Sequence, residues 1–549
     1  MLSEISNKNL IGILGKNGWK SDSHVTNWQK LAYGLFIHWG IYSKLGGVWD
    51  NQPVKEGYSE QIQMWQGISR EDYLRVAEQF SAEKFDPKAI CQLAKDAGMK
   101  YIVFTTKHHD GFCMFATKTT SYNIVEATPF GQDALYLLAD ECQKHGLKLG
   151  LYFSLVDWNQ GHEFDKDNGN SIPESLEVII KEQLKELLSN YGPIAELWFD
   201  MGAPTLDQSN AIVSLVHDYQ PEAMINSRIW NNAGDFRTLS DNEIPTEDID
   251  TVWQAPASIN HATWGYRSWQ QRDDFSIKLD TLIHNLIKVR AKGGNYLLNI
   301  GPRGDGSVVE YEADMLREIG AWLRRHPGIV HGNQSVNIPV QRWGQIMAGQ
   351  DELYLYLTGS SVGDTITLPG LASPVLEITE DNSNQELRWE QNSYVLTIYV
   401  PKQFNESFVP VLKVKLSEEV RIIPDNVVVP REGKWTISPE YVSFAHGYYD
   451  EGNYTSMQLT TVKLTTFLAA AYEREVSIQF QGTANLEYRY QIQLGEQVKI
   501  VTGRELLGDM VGSFTVPALE VVPMSIALAD PTYNDQDLGI EMEQIIVHT

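Results

Sequence analysis

The sequence predicts an α/β protein: a (β/α)8-like barrel of the TIM type followed by C-terminal all-β sandwich modules. Three observations carry that expectation. From about residue 30 to 328, apolar strand-like runs alternate with helix-like stretches. Nearly every run ends on a polar or ionisable group, as in Glu196-Leu197-Trp198-Phe199-Asp200, and a closed barrel gathers such ends on one face. After Arg325-His326-Pro327-Gly328 the helical periodicity stops, and short alternating strands broken by Gly, Pro, Asn and Asp take over.

In chain order, strand-like runs fall near 33–39, 101–107, 147–155, 194–200, 222–228 and 295–300. Helix-like stretches at 87–98, 133–145, 174–189 and 206–219 lie between them, and an amphipathic run at 278–290 precedes the last strand. Six strands with helical connections also suit a doubly wound open sheet; the polar strand ends favour the barrel. The expected division is a barrel over 1–330, a β-sandwich over 331–420 and a second β-sandwich-like module over 421–549. Patterns at 353–357, 394–400 and 409–416 mark the first module, and those at 476–481 and 488–494 the second. The second is read either as a carbohydrate-binding module or as a stabilising accessory. A chain of 549 residues is in any case too long for one core.

The formal net charge is −27 with 42% hydrophobic residues. The field of such an acidic globular chain repels nucleic acid, anionic membranes and polyanionic sugars, which favours a neutral substrate. Three cysteines, Cys91, Cys113 and Cys142, with no CxxC pair, argue against a disulfide framework or a thiolate zinc site. Residues 1–20 carry Glu4, Lys8 and Lys16 and no apolar core of signal-peptide length. A cytoplasmic location is therefore expected, and a secreted or periplasmic one only if a leader precedes the chain. No run approaches the roughly 18 apolar residues that span a bilayer. A homo-oligomer is left open.

The chemistry concentrates in the first 300 residues. His38 and the pair His108-His109 follow strand-like runs, where imidazoles exchange hydrogen bonds with hydroxyls. With Asp200 they also make a set that a zinc or iron ion accepts, so a metal-dependent barrel hydrolase stands as an alternative. Neither an H-E-x-x-H pair nor a cysteine set supports the metal, and a site rich in His, Tyr, Trp and carboxylate suits a neutral sugar better. No cofactor is expected. A serine or cysteine nucleophile fits poorly, because no G-x-S-x-G elbow is present and Cys113 sits in an apolar context. The Gly293-Gly294 pair lacks P-loop spacing.

Five ordered motifs then carry a resemblance. They are Gly34-Leu35-Phe36-Ile37-His38-Trp39-Gly40-Ile41-Tyr42-Ser43, Lys107-His108-His109-Asp110-Gly111-Phe112, Leu197-Trp198-Phe199-Asp200, Thr263-Trp264-Gly265-Tyr266, and the segment from Gly293 to Pro302. Over roughly residues 30 to 330 the chain resembles the α-L-fucosidases of glycoside hydrolase family 29, in which a β-sandwich follows the barrel. The resemblance implies a retaining exo-glycosidase that removes terminal α-L-fucose from oligosaccharides or glycoconjugates through a covalent glycosyl-enzyme intermediate. Such chemistry needs two carboxyl groups, one as nucleophile and one as acid then base.

By the same resemblance Asp200 aligns with the nucleophile. The acid/base is expected in the acidic stretch 235–247, with Glu243 as the choice and Asp241 and Glu247 as alternatives. Many relatives carry Trp-Glu where this chain reads Trp253-Gln254, and glutamine cannot exchange a proton at neutral pH. His38, His108 and His109 would bond ring hydroxyls, and Glu60 would accept from others. Tyr152 and Arg228 would lie beside Asp200, and Trp264 would offer an aromatic face to the C6 methyl, a part Trp49 could share. The Gly293 to Gly301 segment is expected to close the barrel rather than touch substrate. A catalytically silent fucose-binding protein is the remaining alternative.

Overall fold

A computed structural model describes residues 23–549 apart from 166–168, 246–248, 250, 337, 339–340, 360–364, 393, 402–408, 425, 450–457, 509 and 533–535. Its first part holds one eight-stranded sheet: β1 (Tyr33–Ile37), β2 (Tyr101–Lys107), β3 (Lys148–Ser154), β4 (Ile194–Asp200), β5 (Met224–Ile225), β6 (Arg237–Thr238), β7 (Trp253–Ser258) and β8 (Asn295–Ile300). They pair in parallel in the order β5-β4-β3-β2-β1-β8-β7-β6. A parallel bridge between Asn226 and Phe236 joins the two outer strands, and the Ile225 carbonyl accepts from the N–H groups of Asp235 and Phe236. The sheet thus curls into a barrel in which each strand lies beside its sequence neighbours.

Six helices alternate with these strands: α1 (Pro87–Asp96), α2 (Ala134–His145), α3 (Glu174–Asn190), α4 (Leu206–Tyr219), α5 (Phe275–Ala291) and α6 (Glu310–Arg325). Four of the six, α1, α2, α4 and α5, start on a short polar side chain that caps them. Asp86 and Asp133 accept from the N–H groups of Ala89 and Tyr136 at 3.0 and 2.9 Å, and Thr205 and Gln208 form a reciprocal capping box on α4. Each such cap contributes about 1 kcal/mol. Among the described residues no α-helix stands between β5 and β6 or between β6 and β7. The sequence predicts a strand over 222–228, but only Met224–Ile225 pairs, and Ser227–Ile229 curls into a single 3-10 turn. Freed of helices, these two connections drop into the barrel mouth.

Alternation along the strands sends every second side chain inward. Phe36, Tyr101, Val103, Tyr152, Trp198 and Leu297 make an aromatic-rich interior together with Trp28 and Trp264. Gly34 makes room for it, since a Cβ there would come within 2.4 Å of the Tyr101 ring. Outside the strands, the helices bury a separate, larger apolar shell that includes Leu184, Ile212, Leu286 and Leu316.

Beyond α6 the described residues are almost entirely β. A five-stranded and a three-stranded sheet enclose a core that runs from Val336 to Ile422. A six-stranded and a four-stranded sheet then enclose another, from Val428 to Val547. His326, just past α6, meets Asp381 of the first unit at 2.8 Å. The second unit reaches back to the barrel through a bridge between His446 and Ile249, in the β6–β7 connection. Among the described residues no helix is long and apolar enough to cross a membrane.

Candidate active site

At the C-terminal ends of the strands lies a cavity of about 340 Å³, lined among others by Phe36, His38, Glu60, His108, His109, Tyr152, Trp198, Asp200, Arg228, Asp241 and Trp264. Nine of the sequence-predicted residues meet there: His38, Glu60, His108, His109, Tyr152, Asp200, Arg228, Asp241 and Trp264.

Asp200 is the last residue of β4, and its side chain is 15% exposed. The Tyr152 hydroxyl donates to its Oδ2 at 2.8 Å and Arg228 Nη1 donates to its Oδ1 at 3.0 Å. Both carboxylate oxygens are thereby oriented, one by a neutral donor and one by a cation. Met201 follows at φ 60°, a strained backbone state for a side chain with a Cβ, so the chain turns away directly after Asp200. The second Arg228 nitrogen, Nη2, donates to Asp241 Oδ1 at 2.7 Å, and Trp264 Nε1 donates to Asp241 Oδ2 at 3.2 Å. One guanidinium therefore holds two carboxylates at the same cavity. It also rests 4.8 Å above the Trp198 ring, a cation–π contact that fixes its plane.

The histidines are held as neutral acceptors. Asn299 gives its amide N–H groups to the Trp264 carbonyl and Ser258, so its oxygen faces His38 Nδ1 at 2.7 Å and takes that proton. The Ser154 hydroxyl donates to the Val156 carbonyl and so accepts from His109 Nδ1 at 2.8 Å. Each ring is left with a bare Nε2, and that of His109 stands 3.9 Å from Asp200 Oδ2. Burial lowers the pKa of His38 to about 4. Burial, then the neighbouring Lys107 cation, lowers that of His109 to about 3. Burial also holds His108 well below the usual histidine range. Lys107 itself is buried 3.6 Å from Asp157, with its ammonium 4.2 Å over the Phe153 ring.

Glu60 is buried and accepts from the N–H groups of Gly265 and Trp264 at 2.8 and 3.2 Å; burial raises its pKa despite those donors. Trp264 is thus positioned from two sides, its backbone by Glu60 and its indole by Asp241. Among the described residues no group of three or more His, Cys, Asp or Glu side chains is arranged to hold a metal ion.

Two other sequence-predicted residues lie elsewhere. Trp49 packs half-buried against the outer apolar shell and does not line the cavity. The Glu243 carboxylate folds back to accept from the Ser240 N–H at 3.0 Å and is not a wall residue either. Glu247 lies outside the described residues. Asn242 separates the two carboxylates of its loop. It takes φ 61°, gives its N–H to the Pro256 carbonyl at 3.0 Å and accepts from the Ser258 N–H at 2.7 Å. That pinned reversal leaves Asp241 on the cavity and Glu243 turned back on its own turn.

Sequence reasoning passed over Asn299 and Ser154, which fix the two histidine tautomers, and over Phe36 and Trp198 as wall residues. Inward parity with His38, Tyr152 and Asp200 was the available signal. Gln254 sits deeper in the barrel. It accepts from Trp198 Nε1 at 2.9 Å and donates to Glu196 at 3.1 Å and to the Tyr101 hydroxyl at 3.0 Å.

A family model described as alpha-L-fucosidase matches residues 16–327. The chain belongs to the α-L-fucosidase family. It is accordingly a glycoside hydrolase, and its barrel and β-sandwich architecture is the one found in solved α-L-fucosidase structures. The mouse tissue α-L-fucosidase is 29% identical over 330 residues, which span 56% of this chain and 72% of the mouse protein. A family 29 α-L-fucosidase from Bacteroides thetaiotaomicron, trapped as a covalent intermediate with 2-fluoro-fucosyl fluoride, is 25% identical. That likeness covers 74% of this chain and 99% of the other, with a TM-score of 0.66. The α-L-fucosidase of Vibrio sp. strain EJY3 is 21% identical over 96% of this chain and 98% of its own. Its TM-score of 0.67 extends the shared fold through the C-terminal sheets.

Proposed function

We propose that this α-L-fucosidase family member is a retaining exo-α-L-fucosidase, with Asp200 as nucleophile and Asp241 as acid and then base. The substrate is a fucosylated oligosaccharide or glycoconjugate. The observation that carries the reading is the Asp200–Arg228–Asp241 arrangement on a single cavity. In the first step an Asp200 oxygen bonds to the anomeric carbon as the glycosidic C–O bond breaks, and Asp241 gives its proton to the departing oxygen. In the second, the Asp241 carboxylate takes a proton from water, the water oxygen bonds to the anomeric carbon and Asp200 is released. The pair carries a total charge of −1 before attack, as carboxylate plus acid, and −1 after it, as ester plus carboxylate. Arg228 matches that charge at both stages without moving.

The trapped Bacteroides relative supports the covalent route. Neutral His38 and His109 suit the O–H donors of an uncharged sugar, Glu60 adds a further acceptor, and the Trp264 face suits the C6 methyl. Proton NMR of the first product released from an aryl α-L-fucoside tests the reading: α-L-fucose should appear before mutarotation, and initial β-L-fucose would overturn retention.

A further inference from the structure

Most of the cavity wall consists of buried groups; Tyr58, Gln61 and Trp65 are half-buried, as are Gly57 and the carboxylates Asp200 and Asp241. Tyr58, Gln61 and Trp65 come from one short stretch after β1, and its geometry is built around the Trp65 indole. Gly57 has φ 64°, and a Cβ there would come within 1.8 Å of Trp65 Nε1, so the ring lies directly against the glycine backbone. The indole N–H donates to Gln61 Oε1 at 3.2 Å, one helical turn earlier. With one lone pair of its oxygen engaged by the indole, Gln61 keeps its amide N–H groups to offer a ligand. The rim is therefore a fixed aromatic ring with an amide donor at its edge, carried by a segment distinct from those that carry Asp200, Arg228 and Asp241.

We propose that Trp65 is the specificity-determining residue for the leaving group. Its indole is the platform on which the neutral pyranose bearing the fucose stacks, and Gln61 donates to a hydroxyl of that same sugar. A pyranose presents a patch of C–H groups ringed by hydroxyls, which an indole face with one adjacent donor complements. This rests on the exo-fucosidase reading above, and it assigns to Trp65 the part of the substrate that Asp241 protonates as it departs.

The test compares a fucosylated oligosaccharide with α-L-fucosyl fluoride, which carries no leaving sugar. In Trp65→Ala the ratio of kcat/KM for the oligosaccharide to that for the fluoride should fall roughly tenfold or more. Trp65→Phe should recover most of the ratio. Gly57→Ala, which displaces the indole while retaining it, should follow Trp65→Ala. An unchanged ratio in both Trp65→Ala and Gly57→Ala, or equal losses on the two substrates, overturns the assignment. Failure of the native protein to turn over α-L-fucosyl fluoride at all overturns the exo-fucosidase reading first and the platform with it.

Discussion

Glu196 and Asp200 stand four residues apart on β4, both facing the barrel interior, and their surroundings divide their roles. Asp200 opens to the cavity and is bonded by a guanidinium and a phenol. Glu196 is completely buried, and among the described residues its hydrogen bonds come from neutral donors, the Trp28 indole and the Gln254 amide. Burial without a cation raises the pKa of Glu196 to about 7. The lower carboxyl is a pillar. Through Gln254 it sets Trp198, and Trp198 carries Arg228. Residue type and strand position do not separate the proposed nucleophile from its support; the partner and access to solvent do.

The comparison breaks most sharply at Asp200. Asp200→Gly should lower kcat on every fucoside by on the order of 10⁴-fold. Azide should restore part of the activity by filling the vacated space, and near-native turnover without added anion would contradict the role. Asp241→Asn comes next. It should cost roughly 100-fold or more on oligosaccharides, far less on an aryl fucoside with a good leaving group, and remove the basic limb of the pH profile. Glu243→Gln is the control, expected to act alike on both substrates. A leaving-group-dependent defect in Glu243→Gln and not in Asp241→Asn would pass the role to Glu243.

Glu196→Gln sharpens the supporting half. The folded pKa of Glu196 is raised from an ordinary 4.5 to about 7, so the folded state holds a proton there that the unfolded chain releases. Its contribution to stability is fully present below pH 4.5 and is lost as pH rises to about 7, a change of roughly 3 kcal/mol. The stability gap between Glu196→Gln and the native protein, read by denaturant unfolding at pH 5 and pH 8, should widen in favour of the variant at the higher pH. A gap that does not change with pH would show that Glu196 does not titrate in this range. The smallest effect is expected at Trp49→Ala, where kcat/KM should move by less than about twofold while stability falls by about 1 kcal/mol. A larger rise in KM for fucosides would place Trp49 in the pocket.

Most of the barrel was legible because its strands are apolar runs bracketed by amphipathic helices. The illegible parts have local causes. β6 is two residues long, held by its partners rather than by any pattern of its own. β7, Trp253–Ser258, carries Pro256 and two alanines, which read against a strand, and its place in the sheet comes from pairing with β8. The site's histidines, Asp200 and Arg228 were readable from the motifs at the strand ends. Asp241 and Glu243 were not distinguishable, because what separates them is the left-handed turn at Asn242, fixed by hydrogen bonds to β7 residues distant in sequence.

The most direct test is to inactivate the protein with 2-fluoro-fucosyl fluoride, digest it and locate the label by mass spectrometry. The fluorine at C2 slows breakdown of the intermediate, so the sugar should remain esterified to Asp200 in stoichiometric yield, with one fluoride released per chain. A label on Asp241, Glu60 or any other side chain, or continuous turnover with no adduct, would contradict the account.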